Sequence, residues 1–308
     1  MGNLELLKDN KVLVAGSNGL LGQKLVKTFI EDYEVLGIDQ KEKSAATLTD
    51  FQYLPCDITK RSEVQELMRT FKPNFIINAA AYTDVDGCEE DKENCWKVNV
   101  TGAENLAHSG RRIGALLVHI STDYVFDGVE GDYTEESKPN PLGYYGRSKL
   151  AGENAIIASG VDHAIVRTMI LYGTAINIRL NFATWLIEKL SKREPVNIVD
   201  DQIGQPTLAD DLAQAIRKIV ELRKTGLYHI VGSESVDRYH FALKLAEVFD
   251  LDPNLIHAIK TDDLKQKAPR PLNSTFNIEK AKREFRIEMK GVEEGLRTLR
   301  RQLESSSK

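Results

Sequence analysis

Hydrophobic and polar positions along the first half of the chain follow two alternating rhythms. Short apolar runs at Lys11 to Ala15, Glu34 to Ile38, Phe75 to Asn78, Ala115 to Ile120 and His163 to Arg167 read as strands. Between them lie segments whose apolar residues recur three and four apart, as Val64, Leu67, Met68 and Phe71 do in Ser62 to Phe71. Leu21 to Phe29, a stretch near Asn94 to Ser109, and Tyr144 to Ala158 read the same way, as helices with one apolar face. Strand and helix in strict alternation predict right-handed βαβ units. The expected fold class is α/β, a doubly wound parallel sheet of about six strands covered on both faces.

After Tyr172 the rhythm loosens. Phe182 to Leu190, Asp210 to Leu222 and Tyr239 to Phe249 read as helices and Leu227 to Val231 as a strand, separated by irregular stretches carrying Pro195, Pro206, Pro253, Pro269 and Pro271. With 308 residues, the chain exceeds the usual size of one domain. A Rossmann domain over residues 1–172 is therefore expected, followed by a smaller C-terminal α/β domain over 173–308, with segments within 195–233 returning to the first.

Composition narrows the function classes. A net charge of −5 disfavours nucleic acid as a partner, since phosphate backbones are held by Lys and Arg. Residues 260–308 run against the average, with 13 basic against 8 acidic side chains, which leaves room for an anionic ligand. The longest apolar runs, such as Phe75 to Tyr82, fall far short of a membrane span. Met1 to Asn10 lacks the apolar core of a signal peptide, so a cytoplasmic chain with no membrane association is expected. Cys56, Cys88 and Cys95 form no metal-ligand spacing and are expected to be buried free thiols, with Cys88 and Cys95 on one helix face. The scattered histidines, including His119 and His229 in strand-like runs, are expected to be structural.

Two constellations carry chemistry. Val12 to Gly22 runs from a strand through Gly16-Ser17-Asn18-Gly19-Leu20-Leu21-Gly22 into a helix. Glycines there let the backbone turn and approach a pyrophosphate, which the free amides of the helix start would face. Asp39, at the end of the next strand, can accept from both hydroxyls of an adenosine ribose and would repel a 2′-phosphate. The expected cofactor is NAD(H) or NADP(H), with NAD(H) slightly favoured and Lys41 and Lys43 softening the preference. A P-loop is excluded, because Gly22 is followed by Gln23-Lys24.

The second constellation is Tyr145-Gly146-Arg147-Ser148-Lys149, which sets Tyr145 and Lys149 on one helix face. A nearby ammonium is expected to lower the phenol's pKa by ~2–3 units, fitting Tyr145 to give a proton to a developing alkoxide. Thr122, at a strand end, would bring a hydroxyl to the same oxygen.

The sequence resembles an extended short-chain dehydrogenase/reductase, and within that family the dTDP-4-dehydrorhamnose reductase group. The resemblance rests on Asn78 to Asp86 (NAAAYTDVD), Val98 to Gly102 (VNVTG), Ser121 to Gly128 (STDYVFDG), Asn140-Pro141-Leu142, Asp201 to Thr207 (DQIGQPT) and Arg270 to Ser274 (RPLNS). It covers about residues 10 to 303. It implies an NAD(P)H-dependent reductase of a nucleotide-diphospho-4-keto-6-deoxy sugar, with Thr122, Tyr145 and Lys149 catalytic. Gly16, Asn18, Gly19, Leu20, Leu21, Gly22, Asp39, Asp57, Ile58, Ala79, Ala80, Tyr82 and Asn99, together with Tyr145 and Lys149, would surround the cofactor. Val85, Asp86, Thr122 and Asp123 would face the sugar, and Arg270 would meet the diphosphate. No metal is assigned, and the group leaves room for a homodimer.

One departure stands out. The group commonly carries a Trp two positions after Arg-Thr, where this chain has Ile170. The variant Ile170-Leu171-Tyr172-Gly173 resembles the regulatory β subunit of methionine adenosyltransferase, a binding partner. Two further expectations therefore stand beside the reductase: a sugar-nucleotide epimerase or dehydratase, and a non-catalytic regulatory subunit. Dehydratases usually place an Asp-Glu pair beside the catalytic hydroxyl, whereas Thr122-Asp123 is followed by Tyr124.

Overall fold

The computed structural model describes residues 10–45 and 51–306. Along strand β1 (Lys11–Ala15) successive side chains enter opposite cores: Val12 and Val14 face one, Leu13 and Ala15 the other. Such a strand must be covered on both sides, and the chain that follows supplies the cover. Helix α1 (Leu20–Phe29), strands β2 (Glu34–Asp39) and β3 (Gln52–Pro55), helix α2 (Arg61–Phe71) and strand β4 (Phe75–Asn78) come first. Helices α3 (Gly87–Glu90) and α4 (Lys92–Trp96) lead through a π-turn (Lys97–Gly102) into α5 (Ala103–Ile113). Strand β5 (Leu116–Thr122), helix α6 (Tyr144–Ser159) and strand β6 (His163–Thr168) complete this run. Leu25, Val26 and Phe29 of α1 close one face, while Val64 and Met68 of α2 and Leu106 of α5 close the other.

The remainder consists of β7 (Leu171–Tyr172), α7 (Phe182–Ser191), β8 (Val196–Val199), β9 (Ile203–Gly204), β10 (Thr207–Leu208), α8 (Ala209–Glu221), β11 (Gly226–His229), β12 (Val236–Asp237), α9 (Arg238–Val248), β13 (Ile256–Ile259), α10 (Glu279–Phe285) and α11 (Val292–Ser306). The main sheet has seven parallel strands in the order β11-β6-β5-β4-β1-β2-β3. Beyond the five strands read from the first half of the sequence, β11 adds one edge and β3 the other. Strand β3 escapes periodicity because Gln52, Leu54 and Pro55 are all exposed at that edge. Helix α8 packs Leu212, Ile216 and Ile219 onto the α1 side of the sheet.

A separate core, built from Leu186, Leu190, Val196, Ile198, Phe241, Leu245, Leu296 and Leu299, holds the outer lobe together. Its return to the sheet is specific. Ile203 N donates to Leu272 O at 2.6 Å, and the Gln205 amide exchanges two hydrogen bonds with the backbone of Phe276. Asn273 N reaches Gly128 O at 3.0 Å. The DQIGQPT and RPLNS segments thus meet over the end of β5.

Cys88 and Cys95 are joined by a disulfide, correcting the expectation of free thiols; Cys56 alone is free and buried. Seven residues of unbroken helix would separate the pair by about 10.5 Å. The chain instead turns at Asp91 between α3 and α4, bringing the two Cα atoms to 5.4 Å. No helix among the described residues is long and apolar enough to cross a membrane.

Candidate active site

Strand order reverses on either side of β1, and ligands of open α/β sheets collect at such a switch point, beyond the carboxyl ends of the strands. A cleft of about 230 Å³ opens there, lined among others by Gly16, Gly19, Asp39, Asp57, Ile58, Ala79, Ala80 and Tyr82. The turn from β1 depends on its glycines. Gly16 has φ 79°, and a Cβ there would lie 2.7 Å from Ala80 N. A Cβ on Gly22 would lie 2.1 Å from Gly16 O, so Gly22 serves the turn from inside the helix and does not line the cleft.

Asp39 lies where a ribose would be read, its carboxylate accepting from Asn18 N at 3.3 Å and Lys41 N at 3.4 Å. Asn18 turns away from the cleft. Its side chain accepts from Ala45 N at 2.7 Å and donates to Lys43 O at 3.0 Å, anchoring the loop after β2. The Leu21 side chain belongs to the core packed against the sheet. Leu20 points toward Gly173.

Farther along the sheet edge, Thr122, Tyr145 and Lys149 converge. Tyr145, in the first turn of α6, is buried beside Thr122 and met edge-on by Tyr124 at 5.5 Å. Gly146 permits the approach: its Cβ would stand 2.1 Å from Tyr124 O. Burial pushes the Tyr145 phenol well above its ordinary value, and Thr122 only partly opposes the shift. The expected lowering by Lys149 does not occur. Lys149 Nζ donates to Ile120 O at 2.6 Å and lies 3.4 Å from His119 Nε2 on the strand side of the helix. Burial lowers its own pKa to about 8.

Asn99 sits behind this group in the π-turn. Its Oδ1 accepts from Tyr82 N at 2.9 Å, while its Nδ2 donates to Tyr82 O at 3.2 Å and to Ser148 Oγ at 2.9 Å. It therefore ties the cleft wall to α6 and is itself 1% exposed. The Cys88–Cys95 disulfide lies in the same cluster, against Tyr82, Val85 and Tyr145.

The residues expected to face the sugar are already partnered. Asp123 is buried, accepting from Thr122 Oγ1 at 3.1 Å and Ser274 Oγ at 2.6 Å, and burial raises its pKa. Asp86 accepts from Ala268 N at 2.9 Å and pairs with Arg270 at 3.0 Å, and this pairing holds its carboxyl below the usual range against the effect of burial. Arg270, expected at a diphosphate, spends its guanidinium on Asp86 and on Ala268 O. Val85 is half-buried beside the disulfide. Ile170 takes φ 42°, a backbone conformation strained for a β-branched residue, and leans on Gly204, where a Cβ would lie 2.7 Å from its Cδ1.

Sequence reasoning passed over Glu153. It forms a buried two-point ion pair with Arg167 at 3.0 and 2.7 Å and accepts from Ser121 Oγ, fixing α6 against β5 and β6. An acidic residue one turn beyond Lys149, on the same helix face, was the available signal.

A glycine turn, a carboxylate at the end of the second strand and a Thr/Tyr/Lys group at the end of the fifth define an extended short-chain dehydrogenase/reductase. The chain belongs to the RmlD substrate binding domain family, whose model matches residues 10–305. It is similar to dTDP-4-dehydrorhamnose reductase of Aggregatibacter actinomycetemcomitans, 34% identical over 94% of this chain and 98% of the relative. It also resembles methionine adenosyltransferase 2 subunit beta of Xenopus tropicalis, 32% identical over 91% of this chain and 85% of the relative. The crystal structure of dTDP-4-dehydrorhamnose reductase from Bacillus anthracis in complex with NADP superposes with a TM-score of 0.87 at 33% identity, covering 95% of this chain and 99% of that one.

Proposed function

We propose that this chain is an NAD(P)H-dependent reductase acting on a nucleotide-diphospho-4-keto-6-deoxy sugar, like the dTDP-4-dehydrorhamnose reductases it resembles. The observation that carries this is the meeting of Thr122, Tyr145 and Lys149 at the end of β5, next to the glycine-turn cleft. Residues 1–172 supply the cofactor side. Residues 173–308, which return strand β11 and helix α8 to the sheet, supply the roof over the substrate.

The cleft fits a dinucleotide. Gly16 and Gly19 bring backbone close to a pyrophosphate, Asp39 reads the ribose, and Ile58, Ala79 and Ala80 form apolar walls. The carboxylate of Asp39 favours NAD(H), although the Bacillus anthracis relative was crystallised with NADP. When bound, a reduced nicotinamide supplies the hydride. The chain's own task is the proton. Because burial holds its pKa high, Tyr145 stays a neutral phenol across the ordinary pH range and donates only once an alkoxide, a far stronger base, develops against it. Thr122 holds the same oxygen through its hydroxyl. Lys149, as the ammonium, balances the phenolate that remains.

A regulatory, non-catalytic role is the second reading. It is favoured by Ile170 at the position where the reductases carry Trp and by the likeness to methionine adenosyltransferase 2 subunit beta. Tyr145→Phe separates the two. A reductase variant retains nicotinamide binding and loses turnover by ~10²-fold or more. A chain that shows no turnover before the change, and an unaltered effect on a partner enzyme after it, is a regulatory subunit.

A further inference from the structure

Lys149 has a neighbour that the proton chemistry above does not use. His119 lies buried on β5, and two contacts meet its ring. Ala80 N donates to Asn78 Oδ1 at 3.2 Å, which turns the Asn78 amide so that its Nδ2 faces His119 Nδ1 at 3.0 Å. An amide nitrogen of this kind only donates, so His119 Nδ1 must accept. The single proton of the neutral ring then sits on Nε2, and Nε2 faces Lys149 Nζ at 3.4 Å. A donor needs a lone pair opposite it, and an ammonium has none.

We propose that His119 is a positioning residue for Lys149, its Nε2–H favouring the free amine and so setting the pH at which the lysine takes up its proton. In the amine form, Nζ accepts from His119 and donates to Ile120 O, so both sites are matched. Protonation from solvent adds one proton to Nζ and sets two donors face to face, which breaks the contact with His119. No other bond changes. Beyond His119, the charged group that acts on Nζ is Glu153 on its own helix, and the charge of Glu153 is already met by Arg167 of β6 at 2.7 Å. The lowered pKa of both His119 and Lys149 agrees with a neutral ring beside a reluctant ammonium.

The kinetic consequence rests on the reductase reading, in which the ammonium of Lys149 is the active form. Turnover then falls as pH rises through the lysine's pKa. His119→Leu removes the donor, and the alkaline limb of kcat/KM moves up by about one pH unit. His119→Gln keeps an acceptor for Asn78 and a donor for Lys149 on one amide and returns the limb toward the wild-type position. A limb that stays in place in a folded His119→Leu protein overturns the proposal.

A second measurement needs no substrate. Nitrogen NMR of the histidine rings in the wild-type chain is expected to show one histidine, removed by His119→Gln, that stays neutral and protonated on Nε2 from pH 6 to 9. A ring protonated on Nδ1, or an imidazolium at pH 6, overturns the assignment. Because this spectrum is read without turnover, a chain inactive toward every nucleotide-sugar ketone refutes the reductase reading alone.

Discussion

Gly146 offers a sharp test of how the active site is held. Its missing Cβ would lie 2.1 Å from the carbonyl oxygen of Tyr124 and 3.0 Å from Pro141 Cβ. Ordinary contact starts near 3.4 Å, and the obstructing atom is backbone, so Gly146→Ala must drive the start of α6 away from the Asp123–Val125 turn that follows β5 by about 1 Å. Overpacking of this kind costs about 1–3 kcal/mol, while alanine returns about 1 kcal/mol of helix propensity, leaving a net loss of about 0–2 kcal/mol. The variant therefore stays folded. Tyr145 is the adjacent residue and must move with the helix, and a misplacement of about 1 Å can lower kcat by ~10²-fold. The assay pairs thermal melting with kcat and KM for NAD(P)H oxidation. A small drop in Tm with a large drop in kcat is expected, and nicotinamide affinity at the distant glycine turn should change little. A variant that keeps its kcat within about threefold of wild type would refute the view that Tyr145 is held by this close approach.

Three more outcomes follow from the same geometry. Lys149 is buried with its pKa depressed to about 8 from 10.5, so the unfolded chain binds the proton more tightly; this penalty is complete below pH 8 and fades between 8 and 10.5. Lys149→Met should accordingly stabilise the inactive protein by about 2–3 kcal/mol at pH 7, with a gain that shrinks toward pH 10, and melting curves showing a pH-independent gain would contradict this. The Cys88–Cys95 bond closes a short ring against Tyr145 and should contribute about 2–3 kcal/mol, so dithiothreitol or a Cys88→Ser/Cys95→Ser variant should lower Tm by several degrees; mass spectrometry finding all three cysteines, Cys56 included, as free thiols in the untreated chain would contradict it. Asp39→Asn removes a full charge from the ribose site and should improve kcat/KM for NADPH relative to NADH by about tenfold, a ratio that steady-state kinetics reads directly.

The central sheet was legible because each of its inner strands is a run of apolar residues between helices of clear period. The first strand, the glycine turn and α1 follow from Lys11 to Phe29 alone. Strand β3 was hidden because an edge strand with exposed Gln52, Leu54 and Pro55 has no apolar alternation to display. The site was legible as a set of residue types and less so as a set of partners. Tyr145 and Lys149 one turn apart could be read from spacing, but spacing is silent on burial, and burial reverses the expected direction for the phenol. Asp86 and Arg270 are 184 positions apart, so the ion pair that occupies both exists only once the outer lobe folds back. The disulfide was missed for a local reason, the turn at Asp91 that breaks what reads as one helix.

The most direct measurement is to mix the purified chain with a dTDP-4-keto-6-deoxyhexose and either NADH or NADPH, and to follow nicotinamide absorbance together with the sugar product. Stoichiometric loss of reduced nicotinamide with formation of the 4-hydroxy sugar nucleotide, abolished in Tyr145→Phe, is the expected result. Tight nicotinamide binding with no oxidation of either cofactor, across a range of nucleotide-sugar ketones, would contradict the reductase assignment.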